Sequence, residues 1–215
     1  MYWQVIVLNI LELVACITGF LYWRKVKDTY WRWFPVYLAT IVLIEVTAEY
    51  FLYEQRNAEV SLGIYQYFGI PLEFLFFYWL FYRYFDKKNR WPLYSAAIYI
   101  ACWLLDIFYL GHLSLYFESV SYGVGTILLL ILLFQFFMQF ARSNDVLKYR
   151  SSMMFWVALG IILFYMGTLP FYELRNTLYR MDDKTFFFVY WYIQFGLNYL
   201  MYILFVLSFI WGKPK

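Results

Sequence analysis

Residues 63–85 read GIYQYFGIPLEFLFFYWLFYRYF, an apolar stretch that carries Glu73 near its middle, just after Pro71. The stretch is long enough to cross a bilayer as one helix, which takes about 20 residues. A carboxylate at the centre of a membrane helix is costly unless the surrounding protein neutralises it. Two neighbouring apolar stretches place Glu12 and Glu45 at a similar depth. Together they predict a membrane protein with a buried acidic centre.

The composition is that of a chain whose surface faces lipid. Hydrophobic residues make up 65% of the 215 residues and charged residues only 14%, whereas soluble domains are about half apolar and about a quarter charged. At about 20 residues per crossing plus short connections, this length allows roughly seven spans and leaves no room for a folded soluble domain. Aromatic residues reach 27%, which is typical of interfacial belts and of packing between helices.

The apolar stretches predict an all-α, polytopic membrane protein: one domain over residues 1–215 with seven transmembrane helices. The predicted helices cover residues 3–23, 34–53, 63–82, 91–110, 120–140, 153–172 and 185–211, with the longest outer connection at 173–184. Four basic residues follow the first helix, four the third and three the fifth, and two lie in the C-terminal tail, which accounts for 13 of the 17. Because Lys and Arg favour cytoplasmic connections, the N-terminus is predicted outside and the C-terminus in the cytoplasm.

Five acidic residues are predicted to lie within the spans rather than at their ends. Glu12, Glu45 and Glu73 fall near the midplane, and Glu49 and Asp106 fall in the outer half. Three ionised acids facing lipid at mid-depth would together cost on the order of 8–10 kcal/mol. The acids are therefore expected to face the interior of the bundle.

Polar residues recur at helical spacing alongside these acids. Asn9 and Glu12 share one face of the first helix, and Gln194 and Asn198 lie four residues apart on the seventh. Polar stripes of this kind mark the interior of a membrane bundle. They predict a polar cavity lined by the first four helices and the seventh. Its predicted ligand- or ion-binding residues are Asn9, Glu12, Glu45, Glu49, Gln66, Glu73, Asp106, Gln194 and Asn198.

No lysine or arginine lies at the depth of these acids, so something else is expected to balance their charge. They are protonated, share protons as a coupled set, or hold a cation such as a metal ion or a ligand amine. Carboxylate oxygens suit Ca²⁺, Mg²⁺ or Mn²⁺, so a divalent cation is the one cofactor that the residues suggest. The structural alternative makes each acid a protonated strut between helices, worth about 0.6–2 kcal/mol.

Missing residues exclude several classes of function. The seventh helix has no lysine, so it holds no retinal as a Schiff base, and the single histidine, His112, cannot supply a multi-histidine zinc site. The chain has no Ser/His/Asp set, GxSxG sequence, P-loop or glycine-rich nucleotide fingerprint, and nothing points to nucleic acid. The number and orientation of the helices resemble those of seven-helix receptors, without a matched motif.

These patterns favour an integral membrane sensor or receptor-type module. A small cation, amine or proton would occupy the acidic cavity from outside, and a separate cytoplasmic or membrane partner would read the resulting helix shift. The alternatives are a proton- or cation-coupled small-solute transporter or channel, and an intramembrane enzyme that uses paired carboxylates as acid and base. The compact chain, which lacks processing signals, favours the bacterial inner membrane, where the lipid bilayer is its first partner.

Overall fold

The computed structural model describes residues 2–85, 89–110, 120–180 and 185–214. As predicted, seven helices in this part of the chain are long and apolar enough to cross a membrane. Each also carries large apolar side chains on its surface; Leu21 in the first is 76% exposed and Phe134 in the fifth is 64% exposed. Lipid is the solvent that such a surface requires, and the chain is a multi-pass membrane protein. Lys87, Lys88 and His112 lie outside the described residues.

The membrane helices are labelled α1–α7, and three of them contain π-helical turns. α1 is Tyr2–Leu21, and α2 joins Trp33–Glu49 to a π turn at Tyr50–Glu54. α3 joins Ala58–Ile64, a π turn at Tyr65–Gly69 and Ile70–Tyr84, and α4 joins Trp91–Leu105 to a π turn at Asp106–Leu110. α5 is Val120–Arg142, α6 is Met153–Arg180 and α7 is Thr185–Trp211.

Helix α6 is longer than the sequence predicts. The predicted connection at 173–184 is wrong as far as Arg180, because the helix continues to that residue. Pro170 lies inside the helix, where a membrane helix tolerates it by local adjustment.

The chain divides into two compact units. Unit 1 comprises Met1–Ala39 and Leu133–Lys215, and unit 2 comprises Thr40–Leu132. This division does not test the prediction of a single domain, because two compact units of this size can belong to one domain.

Small residues set the packing of α6 against α7 in unit 1. A Cβ added at Gly160 would lie 3.3 Å from the carbonyl oxygen of Met201, and one added at Gly167 would meet Leu197. The two glycines are seven residues apart and therefore share a face of α6. Small residues let helix backbones approach closely, which drives helix association in lipid.

Helices α1 and α7 run side by side in the same direction within unit 1. The hydroxyl of Tyr199 donates to the carbonyl oxygen of Gln4 at 2.7 Å, near the start of α1. Beyond the end of α1, the ammonium of Lys25 donates to the carbonyl oxygen of Phe209 at 2.7 Å. The connection after α1 and the C-terminus therefore lie at the same end of unit 1.

Aromatic side chains join α3, α4 and α5 in unit 2. The hydroxyl of Tyr78 on α3 donates to the carbonyl oxygen of Gly125 on α5 at 2.8 Å. The ring of Tyr99 on α4 lies 4.9 Å from the ring of Phe74 on α3. All three aromatic side chains are at most 1% exposed, so they form a closely packed core beside the acids of unit 2.

Candidate functional site

The nine predicted binding residues are divided between the two units. Unit 1 holds Asn9, Glu12, Gln194 and Asn198, and unit 2 holds Glu45, Glu49, Gln66, Glu73 and Asp106. The single cavity lined by all nine stays a prediction.

The polar stripe of α1 lies on the packed side of that helix. Glu12 is only 2% exposed and Cys16 only 8%, and Gly19 is buried as well. Gln194 and Asn198 on α7 are half-buried. In unit 1 the carboxyl of Glu12 is therefore removed from the surface, as its spacing with Asn9 predicts.

The side chain of Glu45 links α2 to α3. Its carboxylate accepts a hydrogen bond from the hydroxyl of Tyr65. Glu49, one turn later on α2, lies within electrostatic range of Glu45, and both acids are half-buried. This is the kind of hydrogen bond between helices that we expect if a membrane acid has a structural role and binds no ligand.

The π turn in α3 is explained by Pro71. The N–H of Ile70 bonds the carbonyl of Tyr65, five residues earlier, and the next residue, Pro71, has no N–H to donate. The carbonyl of Gln66 loses its helical partner and accepts the indole N–H of Trp103 on α4 at 3.1 Å. Gln66 therefore joins α3 to α4 through its backbone, which side-chain patterns do not reveal.

Replacing Trp103 by phenylalanine is expected to lower the free energy of unfolding by about 1–2 kcal/mol, because the carbonyl of Gln66 is left without a donor. Unfolding of the purified protein in mixed detergent measures the loss. Trp91→Phe is the matched control, since Trp91 is 56% exposed at the start of α4. Equal stability of the two variants would contradict the role given to the indole N–H.

Asp106 caps the start of helix α5. Its Oδ2 accepts the backbone N–H of Ser121 at 2.6 Å, and its side chain is 4% exposed. The first N–H groups of a helix lack partners within it and carry partial positive charge. The N-terminus of α5 therefore offsets the negative charge of the Asp106 carboxylate without a lysine or arginine. The sequence patterns do not reveal this interaction.

Tyr99 is a fully buried tyrosine of α4 that interacts electrostatically with two of the predicted acids. Its side chain is 0% exposed, and its hydroxyl has no hydrogen-bond partner among the described residues. The carboxyls of Glu73 and Asp106 lie within electrostatic range of that hydroxyl. We call Glu73, Tyr99 and Asp106 the tyrosine–carboxyl cluster. A buried polar group without a partner costs about 1–3 kcal/mol, so its retention calls for an explanation.

Tightly held aromatic rings border the cluster. The ring of Phe74 lies 4.9 Å from that of Tyr99 and 5.7 Å from that of Tyr122. A Cβ added at Gly125 would lie 2.9 Å from the ring of Tyr99 and 3.1 Å from that of Phe74. Aromatic faces of this kind attract organic cations once water is excluded.

The divalent cation suggested by the sequence stays a prediction. In the described part of either unit, no group of three His, Cys, Asp or Glu side chains is arranged to hold a metal ion. Ca²⁺ takes about six to eight oxygen ligands, whereas the tyrosine–carboxyl cluster brings two carboxyls near one hydroxyl.

The helices of both units define a seven-helix, multi-pass membrane protein. No family model matches the chain, and no curated protein or solved structure matches it either. Its function is therefore inferred from the chemistry of its own residues.

Proposed function

We propose that the chain is an integral membrane sensor that binds a small cation, amine or proton at the tyrosine–carboxyl cluster and signals through a partner protein. The observation that carries this proposal is the buried hydroxyl of Tyr99, which has no partner among the described residues and lies within electrostatic range of Glu73 and Asp106. An ammonium group would donate N–H bonds to that hydroxyl and balance the charge of the carboxyls. The membrane proposed is the bacterial inner membrane.

An organic amine is the favoured ligand among the three types. The ring of Phe74 lies 4.9 Å from that of Tyr99, so an ammonium at the Tyr99 hydroxyl would lie beside aromatic and apolar groups, which a substituted ammonium prefers over bulk water. Asp106 is already compensated in part by the start of α5, which leaves Glu73 as the main counter-charge for a ligand. Glu73 is also half-buried, so it is the member of the cluster that a ligand would meet first.

Binding without transport is favoured by the packing of α3 and α5 beyond the cluster. Tyr78 bonds the backbone of Gly125 there. Five further side chains on these helices are 0% exposed: Phe77, Leu80, Phe81, Leu129 and Leu132. Interiors of this kind are packed about as densely as organic crystals, which leaves little room for the hydrated path that a proton or cation needs. Transport is the alternative, because Glu73 lies near the middle of its span.

The test combines ligand-induced stabilisation with flux, using methylammonium and tetramethylammonium as probes. In bilayer nanodiscs, at least one probe is expected to raise the unfolding temperature of the wild type. Saturation at about a hundred times the dissociation constant corresponds to about 2.7 kcal/mol. Glu73→Gln is expected to remove most of this shift with either probe. Tyr99→Phe is expected to remove most of the shift with methylammonium, because tetramethylammonium has no N–H to donate. In proteoliposomes, neither tetramethylammonium uptake nor proton movement is expected above that of empty liposomes.

Matched controls separate the cluster from general effects of charge or hydroxyl loss. Glu59→Gln makes the same change at an exposed position on α3, and Tyr94→Phe does so at a side chain of α4 that is 56% exposed. Both controls are expected to keep the full shift. A shift that survives Glu73→Gln and Tyr99→Phe would remove the cluster from the proposal. Flux abolished by Glu73→Gln would replace the sensor with a transporter.

A further inference from the structure

Basic side chains gather at one end of unit 1, around the connection after α1, the connection between α5 and α6, and the C-terminus. Seven of them are exposed and Lys25 is half-buried. The set consists of Arg24, Lys25, Lys27, Arg32, Arg142, Lys148, Arg150 and Lys213. The sequence explains these residues as topology signals; their arrangement in the fold goes further.

Backbone contacts hold the C-terminus against the α5–α6 connection. The N–H of Lys213 donates to the carbonyl oxygen of Ser151 at 2.7 Å, and the N–H of Met153 donates to the carbonyl oxygen of Lys213 at 3.5 Å. Trp156 fixes the same region, because its indole N–H donates to the carbonyl oxygen of Arg150 at 3.0 Å. Arg150 and Lys213 are therefore positioned by their backbones. Both side chains are exposed, and the Nε of Arg150 donates to the hydroxyl of the neighbouring Tyr149 at 3.2 Å, which leaves its terminal N–H groups directed to the surface.

Lys25 brings a third cation to this place. Its ammonium donates to the carbonyl oxygens of Phe209 at 2.7 Å and Ile210 at 3.3 Å, which satisfies the end of α7. Burial, and then repulsion from nearby Lys213, lower the pKa of Lys25. Two ammonium groups are thus held within electrostatic range of each other, and an anion placed beside both would relieve the repulsion.

Exposed apolar side chains lie among these cations. Leu147 is 85% exposed and Trp211 is 51% exposed, and the guanidinium of Arg150 lies 5.8 Å from the centre of the Tyr149 ring. Apolar and aromatic groups beside Lys and Arg are typical of the boundary between headgroups and acyl chains. An acidic face on a soluble protein would match the charge, but it would leave the exposed apolar surface of Leu147 and Trp211 uncovered.

We propose that Lys25, Arg150 and Lys213 form a binding site for the phosphate of an anionic phospholipid, with Leu147 and Trp211 against its acyl chains. Cationic side chains beside a membrane attract anionic headgroups, and here three cations from separate parts of the chain converge at one membrane boundary. The site lies wholly in unit 1 and does not depend on the tyrosine–carboxyl cluster.

The test compares phosphatidylglycerol with phosphatidylcholine nanodiscs, together with native mass spectrometry of retained lipid. The wild type is expected to unfold at a higher temperature in phosphatidylglycerol and to retain that lipid in the gas phase. The double variant Arg150→Gln, Lys213→Gln is expected to lose most of the temperature difference and of the retained lipid. Arg56→Gln, Arg90→Gln removes the same charge at two exposed positions of unit 2 and is expected to keep both.

The proposal is overturned if both double variants lose the phosphatidylglycerol effect equally, since the effect would then be one of net charge. It is also overturned if inorganic phosphate stabilises the wild type in phosphatidylcholine as strongly as the lipid does. Arg150 and Lys213 contact the rest of the fold through backbone atoms, apart from one exposed hydrogen bond from the Nε of Arg150 to the Tyr149 hydroxyl. The variant is therefore expected to stay close to the wild type in phosphatidylcholine. If the double variant does not fold, retention of phosphatidylglycerol is measured for the single variant Arg150→Gln. Reduced retention supports the site, and retention equal to that of the wild type overturns it.

Discussion

Replacing Gly212 by alanine is expected to lower the free energy of unfolding by about 2–3 kcal/mol, a typical cost of forcing a methyl group into a packed site. The added Cβ would lie 2.6 Å from the Cα of Met153 and would press on the carbonyl oxygen of Ser208. Both neighbours are backbone atoms, so no side-chain rotation can relieve the clash. Either the tail or the start of α6 has to move.

The matched control is Gly196→Ala on α7. Nothing lies within 4 Å of a Cβ added there, so this variant is expected to be neutral or more stable by up to about 1 kcal/mol, since glycine weakens a helix interior. Unfolding in mixed detergent micelles measures both variants. A loss at Gly212 no larger than that at Gly196 would mean that the tail does not pack against α6.

The seven spans were predictable because hydropathy alone fixes them. A run of about 20 apolar residues has no stable alternative to a helix in lipid, so length and composition suffice, and α7 has the predicted bounds of 185–211. The end of α6 was not predictable in this way. Polar residues after Pro170 resemble a loop, yet the helix continues to Arg180.

The burial of Glu12 and Asp106 was predictable, but the partners of Glu45 and Asp106 were not. The sequence indicates that no lysine or arginine balances these acids. That inference considers only charged side chains as partners and leaves out hydroxyl and backbone donors. Glu45 accepts from the Tyr65 hydroxyl, and Asp106 accepts from the backbone N–H of Ser121. Both donors come from other helices, and a backbone N–H has no signature in the sequence.

The sequence does not predict Tyr99 as a binding residue, because it is one of 24 tyrosines. One signal was present: it lies seven residues before Asp106, on the same face of α4. That spacing places both side chains towards one neighbour, and the burial of Tyr99 and Asp106 agrees with it. The missing information is that Glu73 of α3 lies within electrostatic range of the same hydroxyl, which depends on the packing of separate helices.

Replacing Gly125 by alanine is expected to lower the free energy of unfolding by about 2–3 kcal/mol and to reduce the ammonium-induced shift. The new Cβ would lie 2.9 Å from the ring of Tyr99 and 3.1 Å from the ring of Phe74. Both rings are 0% exposed, so neither can move away freely. Displacing the ring of Tyr99 also displaces its hydroxyl relative to Glu73.

The matched control for Gly125→Ala is Gly63→Ala, in the first segment of α3. Its added Cβ would lie 3.7 Å from the nearest atom, in the ring of Tyr67, so stability and the ammonium-induced shift are expected to stay near wild type. The informative comparison is the shift in folded Gly125→Ala against that in Tyr99→Phe. If Gly125→Ala loses stability but keeps the full shift, the position of the Tyr99 hydroxyl does not set ligand affinity. If both variants lose the shift while Gly63→Ala keeps it, ligand binding depends on where the α4–α5 contact holds Tyr99.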